Sequence, residues 1–418
     1  MERCKGSRDL LPEDMLRFQE IEKTFCTCCS AWGYQEVRTP TLEHLHLFTS
    51  TGTLTPSMLR KVYSFLDWDG WSGERVVLRP EATIPAARLY VENMKDKPQA
   101  KLFYLENIFS FEETGNESRE RWQCGTELIG SGRPEADAEL ILLASEILEK
   151  LGFEDVEILL SHAGLLRALL QESGLPVQEQ HRALDRILDG DMEMLDTVLG
   201  ANARLRDSAP LLFQLRGKSA GFLKNLRTSL VSALPSIETS LDNFIMIADL
   251  LSAARRDYHI DIASGKGFEY YTGLIFQLRY RGQKVGGGGR YNDLIPLLGG
   301  GNTPASGFAL YIDQLMQFLS GEHIRRNALP RVLVRGDTDS QWSVCLDTAR
   351  ALREAGCIAD LDSGYTSKTE HDWTLRIEGK GKTRRLLLKD AMKGRETKLS
   401  SVAEVIKMLR KTNEASST

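Results

Sequence analysis

The chain has 418 residues, of which 42% are hydrophobic and 27% charged, and its formal net charge is −5. These values predict a globular protein of two or three domains. They argue against a nucleic-acid-binding protein, which usually presents a strongly basic face, although a local basic patch stays compatible with them. No apolar run reaches the ~20 residues of a membrane span.

The seven cysteines favour a reducing compartment, because an odd number without disulfide-framework spacing predicts free thiols. Cys26, Cys28 and Cys29 resemble half of a metal site, but no second cluster completes four ligands. The first six residues lack the apolar core of a signal peptide. We therefore expect a cytoplasmic protein without a bound metal or cofactor.

The first predicted element is a helix over residues 13–32, where apolar residues from Met15 to Phe25 follow helical spacing and Gly33 ends the pattern. Pro134 opens a second helix, which Gly152 ends. Strands are predicted at residues 34–40, 76–79, 102–105, 123–129 and 274–278. Strands dispersed among a few helices predict an α+β fold built on an antiparallel sheet.

Residues from about 164 to 255 are rich in Leu, Ala and Arg and predict a mainly helical insertion, after which the sheet resumes near residues 258–261. Beyond Pro330 the pattern changes to alternating elements. Strands are predicted at residues 332–334, 357–361 and 386–388, and helices at residues 344–356 and 400–410. The sequence thus predicts a first domain over residues 1–325 and a small α/β domain over residues 330–418.

Two stretches combine carboxylate, hydroxyl and amide side chains. Residues 78–83 (Leu-Arg-Pro-Glu-Ala-Thr) place Glu81 and Thr83 just beyond a predicted strand. Alone, this pattern favours a helix start, where the dipole favours a carboxylate, over a site that binds an ammonium group. In the strand at residues 123–129, Gln123 and Glu127 share one face. That face either binds the polar end of a small ligand or faces solvent.

Three later stretches extend the candidate site or set limits to it. In residues 266–273 (Lys-Gly-Phe-Glu-Tyr-Tyr-Thr-Gly), Lys266 could line the same cavity with Tyr270 or Tyr271, since adjacent strand residues face opposite sides. Residues 286–289 are four glycines without the Lys-Ser/Thr of a phosphate loop, so we expect a strand or bulge with close backbone approach. Residues 380–385 are basic and favour a solvated hairpin over a nucleic-acid site.

In this order along the chain, the motifs resemble the histidyl-tRNA synthetase family, a class II synthetase fold. Residues 6–12 resemble its N-terminal signature, residues 33–43 its dimer-forming first motif, and residues 288–307 its Gly-Gly-Arg-Tyr segment. The resemblance implies a pocket for free histidine. Its expected lining residues are Glu81, Thr83, Gln123, Glu127, Lys266, Tyr270 and Tyr271.

The chain departs from the family at the positions that hold ATP. By the resemblance, Ser110 and Gln314 stand where the family has the arginines that hold ATP. Lys266 stands where the family has its histidine-specific arginine. Adenylation joins two negatively charged groups and depends on fixed cations, each worth roughly 10²–10³ in rate. Lysine keeps the charge but loses the bidentate fork. We therefore expect no catalytic residues and negligible adenylation.

One branch of this family has lost aminoacylation, namely the regulatory subunits of short-form ATP phosphoribosyltransferase in histidine biosynthesis. The resemblance to this branch implies a homodimer that joins a catalytic subunit in a hetero-octamer and responds to free histidine. The C-terminal domain resembles a shortened anticodon-binding domain, so we do not expect tRNA binding. Membrane binding is not expected either, because no apolar run is long enough to span a membrane. The alternative is a divergent histidyl-tRNA synthetase in which Arg119 or Arg121 replaces the lost cations.

Overall fold

The computed structural model describes residues 2–51, 59–68, 73–112, 114, 117–188, 191–200, 216–262, 271–319, 329–336, 341–362, 371–379, 385–391 and 393–416. The chain divides into two compact units, Met1–Leu319 and Ser320–Thr418. None of the described helices is both long and apolar enough to cross a membrane.

The first unit is built on an eight-stranded sheet. Its strands along the chain are β1 (Gln35–Glu36), β5 (Ala100–Phe109), β6 (Glu120–Ile129), β7 (Glu157–His162), β8 (His259–Ile260), β9 (Leu274–Tyr280), β10 (Gln283–Arg290) and β11 (Ala305–Tyr311). The spatial order is β1-β5-β6-β11-β10-β9-β7-β8. The two outermost pairs are parallel and all inner pairs are antiparallel. The predicted antiparallel core is therefore confirmed.

A smaller antiparallel sheet in the same unit has the order β2-β4-β3. Its strands are β2 (Leu42–His44), β3 (Ser64–Trp68) and β4 (Gly73–Leu78). The helices that precede the insertion are α1 (Pro12–Ala31), α2 (Leu45–Ser50), α3 (Thr83–Asn93) and α4 (Pro134–Lys150). Helix α1 packs against α4, burying Phe18, Ile21 and Phe25. It ends just before Gly33, whose φ of +82° suits a residue without Cβ.

The predicted helical insertion is confirmed over its described part. It contains α5 (Ala163–Glu172), α6 (Val177–Leu188), α7 (Met192–Gly200), α8 (Ala220–Leu230) and α9 (Glu238–Ala253). The sheet resumes at β8, as expected. Two short helices follow, α10 (Leu294–Leu297) and α11 (Ile312–Phe318). Helices α8 and α9 pack on each other, and α9 also packs on α4, so the insertion is joined to the core of the first unit.

In its described residues, the second unit is a mixed five-stranded sheet of order β13-β12-β14-β15-β16 with two helices. Its elements are β12 (Arg331–Gly336), α12 (Trp342–Glu354), β13 (Ile358–Leu361), β14 (Trp373–Glu378), β15 (Arg385–Asp390), β16 (Glu396–Leu399) and α13 (Val402–Ser416). Strand β12 pairs in parallel with β13 and β14, whereas β15 and β16 are antiparallel. The predicted small α/β domain is confirmed, with more strands than the sequence indicated.

The strand predicted at residues 34–40 was too long, because only Gln35–Glu36 pairs with the sheet. The Thr39 amide N–H and hydroxyl instead donate to the Glu106 carboxylate, at 2.6 Å for the amide, and Pro40 has no N–H to donate. The Arg79 guanidinium pairs with Glu106 at 2.8 Å, so this turn is fixed by a buried ion pair. The chain therefore leaves the sheet before the predicted strand end.

Candidate functional site

Two adjoining cavities open between the start of α3 and the middle of the large sheet. The first, here called the carboxylate cavity, is lined by Glu81, Thr83, Gln123, Tyr271, Ile275, Phe276, Gln277, Lys284, Gly287, Gly288, Tyr291, Gly307, Phe308, Ala309 and Tyr311. The second, here called the cationic cavity, is lined by Lys61, Pro80, Ile108, Ser110, Arg121, Trp122, Gln123, Lys284, Tyr311 and Gln314. Gln123, Lys284 and Tyr311 belong to both linings.

Glu81 both holds the start of helix α3 and lines the carboxylate cavity. Its carboxylate accepts the backbone N–H groups of Thr83 at 3.0 Å and Ile84 at 2.7 Å, so it fixes the first turn of α3. It also lines the carboxylate cavity, although its side chain is almost fully buried. A helix start and a ligand-facing carboxylate are therefore compatible here.

Glu127 lies beside this cavity in a network with two tyrosines. The Tyr104 hydroxyl donates to Glu127 Oε1 at 2.9 Å, and the Tyr291 hydroxyl donates to Oε2. Strand β6 is buried from Gln123 to Ile129, between β5 and β11. The alternative of a solvent-facing strand side is therefore wrong. The tyrosine hydroxyls hold the Glu127 carboxylate in one orientation.

Two glycines make room for this network. A Cβ at Gly125 would lie 2.3 Å from the Tyr104 ring, and a Cβ at Gly307 would lie 1.9 Å from Glu127 Oε2. Any side chain at either position therefore displaces a member of the network. The glycines of β10 let the neighbouring backbone approach closely, since a Cβ at Gly288 would lie 2.1 Å from the Gly307 carbonyl oxygen. The predicted close backbone approach in the glycine run is confirmed.

Burial changes the titration of both carboxylates. Desolvation raises the pKa of Glu81 from 4.5 to about 8, even though the backbone donors at Thr83 and Ile84 oppose the change. Desolvation also raises the pKa of Glu127 to about 7, against the hydrogen bonds from Tyr291 and Tyr104. A bound cation would stabilise the ionised form of either group. The cavity therefore has two carboxyl groups that titrate near neutral pH.

The cationic cavity includes the two positions at which the family resemblance places ATP-holding arginines. Ser110 and Gln314 both line it and contribute no charge. Arg119, one of the two suggested replacements, is directed elsewhere, since its Nε donates to the Glu112 carbonyl oxygen at 2.7 Å and its guanidinium lies over the Phe111 ring. Arg121, the other one, lines the cavity.

The sequence-predicted residues thus divide into three groups. Glu81, Thr83, Gln123 and Tyr271 line the carboxylate cavity, and Glu127 adjoins it through Tyr291. Lys266 and Tyr270 lie outside the described residues. So does most of the basic run at residues 380–385.

Lys61, Lys284 and Tyr311 are among the lining residues that escaped the sequence reasoning. Tyr104, which lines neither cavity but donates to Glu127, escaped it as well. Tyr104 faces Gly125 across the β5–β6 pair, a register that no single-strand pattern reveals. Tyr291 belongs to the Gly-Gly-Arg-Tyr segment, and membership of that motif is its one signal in the sequence. Among the described residues, no group of three or more His, Cys, Asp or Glu side chains is arranged to hold a metal ion.

Comparison with known proteins assigns the whole first unit to one family. The family profile described as histidyl-tRNA synthetase matches residues 6–315. A protein of Dehalococcoides mccartyi named ATP phosphoribosyltransferase regulatory subunit is 50% identical over 376 residues, covering 90% of this chain and 91% of the relative. A histidine–tRNA ligase of Methanosarcina acetivorans is 36% identical over 324 residues, covering 75% of each chain.

A solved structure extends the likeness to the fold. A protein from Bacillus halodurans C, described as an ATP phosphoribosyltransferase regulatory subunit/histidyl-tRNA synthetase, matches with a TM-score of 0.72 at 25% identity. The match covers 88% of this chain and 94% of that protein. Together with the motifs around the two cavities, these likenesses establish that the chain belongs to the histidyl-tRNA synthetase family.

Proposed function

We propose that this chain is the non-catalytic regulatory subunit of an ATP phosphoribosyltransferase, which supports a catalytic subunit and mediates histidine feedback in histidine biosynthesis. The observation that carries the proposal is the contrast between the two cavities. One offers carboxylate, hydroxyl and amide groups for an amino acid, whereas Ser110 and Gln314 leave the other without the arginines that adenylation needs. The 50% identity to a regulatory subunit supports the same choice.

In this proposal, free histidine binds in the carboxylate cavity. Its ammonium group pairs with Glu81, and its imidazole lies towards Glu127 and Tyr271. By the family resemblance, Lys266 and Tyr270 complete the site together with Thr83 and Gln123. Titration calorimetry with histidine tests this, both on the chain alone and after mixing with the catalytic subunit. The absence of binding heat in both experiments would refute the histidine-sensor role.

Feedback then requires that histidine bind unequally to two arrangements of an assembly. The coupling is reciprocal. If histidine changes the affinity between this chain and the catalytic subunit by some factor, the catalytic subunit changes the affinity of this chain for histidine by the same factor. We propose a homodimer within a hetero-octamer in the cytoplasm, in keeping with seven cysteines that form no disulfide. Light scattering on the separate and mixed subunits measures the two masses. A monomer that does not associate with the catalytic subunit would contradict this assembly.

The competing function is a divergent histidyl-tRNA synthetase, and one observation favours it: Arg121 lines the cavity next to Ser110. A histidine-dependent exchange of labelled pyrophosphate into ATP distinguishes the two functions. We expect exchange no faster than without histidine. Clear exchange that is lost in Arg121→Gln would replace the regulatory function with the enzymatic one. Charging of tRNA with histidine would also replace the regulatory function with the enzymatic one, because our proposal includes no tRNA binding.

A further inference from the structure

The carboxylate cavity takes two of its buried lining residues, Tyr271 and Tyr291, from segments that run side by side. Tyr271 is followed by Thr272, whose backbone N–H donates to the Arg290 carbonyl oxygen at 2.7 Å. Arg290 in turn precedes Tyr291, so this bond extends the antiparallel pairing of β9 and β10 beyond the start of β9. A Cβ at Gly289 would lie 2.9 Å from the Tyr271 ring, which therefore packs against the β10 backbone. The contact between the two segments thus determines where both tyrosines lie.

Thr272 and Asn292 form a polar latch between these two segments. The Thr272 hydroxyl donates to the Arg290 carbonyl oxygen at 3.3 Å and accepts the Asn292 backbone N–H at 3.0 Å. The Asn292 side-chain oxygen accepts from Arg290 Nη1 at 3.2 Å and from the Ala305 backbone N–H at 3.3 Å. Tyr291 lies between Arg290 and Asn292 in the chain, so the latch holds its backbone on both sides. Neither latch residue lines either cavity, and so neither contacts a ligand there.

The latch is anchored in the core of the first unit through Arg290. The Arg290 side chain is almost fully buried and pairs with Asp137 of α4 at 3.0 Å. Its guanidinium also donates to the carbonyl oxygens of Ser131 at 2.9 Å and Arg133 at 3.2 Å, just before that helix. A buried ion pair of this kind cannot shift without leaving a charge unpaired. One side of the latch is therefore fixed, and the Thr272 hydroxyl decides whether the other side is held against it.

The other side of the latch is bonded to the helical insertion. The Gly273 carbonyl oxygen accepts the backbone N–H of Ala163, the first residue of α5, at 2.8 Å. One turn further along α5, Arg167 pairs with Asp293 at 3.2 Å. This ion pair is partly exposed and contributes little, whereas Gly273 and Ala163 are both buried. The backbone bond at Ala163 thus joins the start of α5 to the segment that carries Tyr271.

We propose that the latch positions Tyr271 and Tyr291 at the carboxylate cavity and couples them to the start of α5, so that the insertion and the histidine site respond to each other. Thr272 and Asn292 are positioning residues, since they act through the two tyrosines. The Tyr291 hydroxyl orients the Glu127 carboxylate, so an unlatched Tyr291 leaves the cavity less able to hold a ligand. The effect on histidine rests on the proposed function, in which this amino acid binds in the cavity. Because coupling is reciprocal, a partner that moves α5 changes the affinity for histidine.

Hydrogen exchange measured by mass spectrometry on the ligand-free protein tests the latch. Thr272→Val removes the hydroxyl and keeps the shape, Thr272→Ser keeps the hydroxyl, and Asn292→Ala removes the side-chain acceptor on the other side. Thr303→Val is the matched control, because the Thr303 hydroxyl donates to the Gly300 carbonyl oxygen and Thr303 lines neither cavity. In Thr272→Val and Asn292→Ala, residues 160–167 should exchange several-fold faster than in wild type, since the latch no longer restrains the start of α5. Thr272→Ser and Thr303→Val should exchange as wild type does.

Titration calorimetry with histidine provides the second readout. If Thr272→Val leaves the tyrosines in place in about one molecule in ten, the apparent affinity for histidine falls about ten-fold, and Thr272→Ser restores it. Exchange at residues 160–167 that Thr272→Val and Asn292→Ala leave unchanged overturns the proposal. So does a Thr272→Val variant that binds histidine as tightly as wild type. Absence of histidine binding by wild type refutes the proposed function instead, and the exchange experiment, which contains no histidine, then decides on the latch alone.

Discussion

Histidine binding should release protons from the carboxylate cavity, and Glu81 should release most of them. With a pKa of about 8, Glu81 is ionised at pH 7 in roughly one ligand-free molecule in ten. An ammonium group binds the carboxylate form, so each binding event at pH 7 releases about 0.9 proton from Glu81. Forming that carboxylate costs about 1.4 kcal/mol, which is roughly a ten-fold loss of affinity at pH 7 relative to high pH.

Calorimetry at pH 7 in two buffers with different ionisation enthalpies measures this number directly, since the apparent binding heat changes in proportion to the protons released. Glu81→Gln is the matched control. Its amide oxygen can accept from one of the backbone N–H groups of Thr83 and Ile84, which donate to different oxygens of Glu81, and it has no proton to release. A binding heat that is the same in both buffers would refute the reasoning. Equal proton release by wild type and Glu81→Gln would also refute it.

The raised pKa of Glu81 also predicts how the stability of the ligand-free protein changes with pH. Because the folded-state pKa of Glu81 lies above its ordinary value of 4.5, ionisation is harder in the folded than in the unfolded chain. The ligand-free protein should therefore lose stability as pH rises from about 4.5 through about 8. Urea unfolding at pH 5 and pH 8.5 measures it as the difference between wild type and Glu81→Gln. Wild type should lose stability relative to Glu81→Gln between pH 5 and pH 8.5. A wild type that keeps or gains stability relative to the variant over this range would contradict the assigned desolvation.

Two further predictions concern single side chains. Gly307→Ala should reduce histidine affinity at least ten-fold, because its Cβ would lie 1.9 Å from Glu127 Oε2, whereas Gly221→Ala, with no atom closer than 3.6 Å, should leave binding unchanged. Calorimetry on both variants checks this, and equal affinities would contradict it. Asp137→Leu should lower the free energy of unfolding by about 3–5 kcal/mol, because the buried Arg290 guanidinium loses its partner at 3.0 Å. Urea unfolding measures this, and a loss below about 1 kcal/mol would show that the Ser131 and Arg133 carbonyl oxygens, to which Arg290 already donates, compensate for the lost carboxylate.

Much of the fold could be predicted because local pattern and tertiary environment agree. The helix at Pro12–Ala31 and the strand at Glu120–Ile129 were recognised from apolar spacing and composition. The strands at Ser64–Trp68 and Glu157–His162 were not, since the first is exposed throughout and the second continues directly into a helix. Exposure removes the alternation of apolar and polar residues on which strand prediction depends.

The candidate site was predictable to a smaller extent. Glu81 and Gln123 stand in motifs that are readable in order along the chain, and both reach the same cavity. Lys61 and Lys284 stand in no such motif. Lys284 reaches the cavity because β11 lies between β6 and β10 in the sheet, and Lys61 is held near it because its carbonyl oxygen accepts the Phe111 backbone N–H at 2.6 Å. Both placements depend on long-range pairing. A single lysine in a loop or strand carries no signal of this kind.

The sequence by itself determined the family, the α+β class and the loss of charge at Ser110 and Gln314, since these depend on residue identity at ordered positions. Only the tertiary structure decided how the remaining charges are distributed. It buried Glu81 and Glu127, so that desolvation brings their pKa values to about 8 and about 7. It also gathered three cations around an adjoining space. Burial and proximity arise from chain packing, and no local pattern contains them.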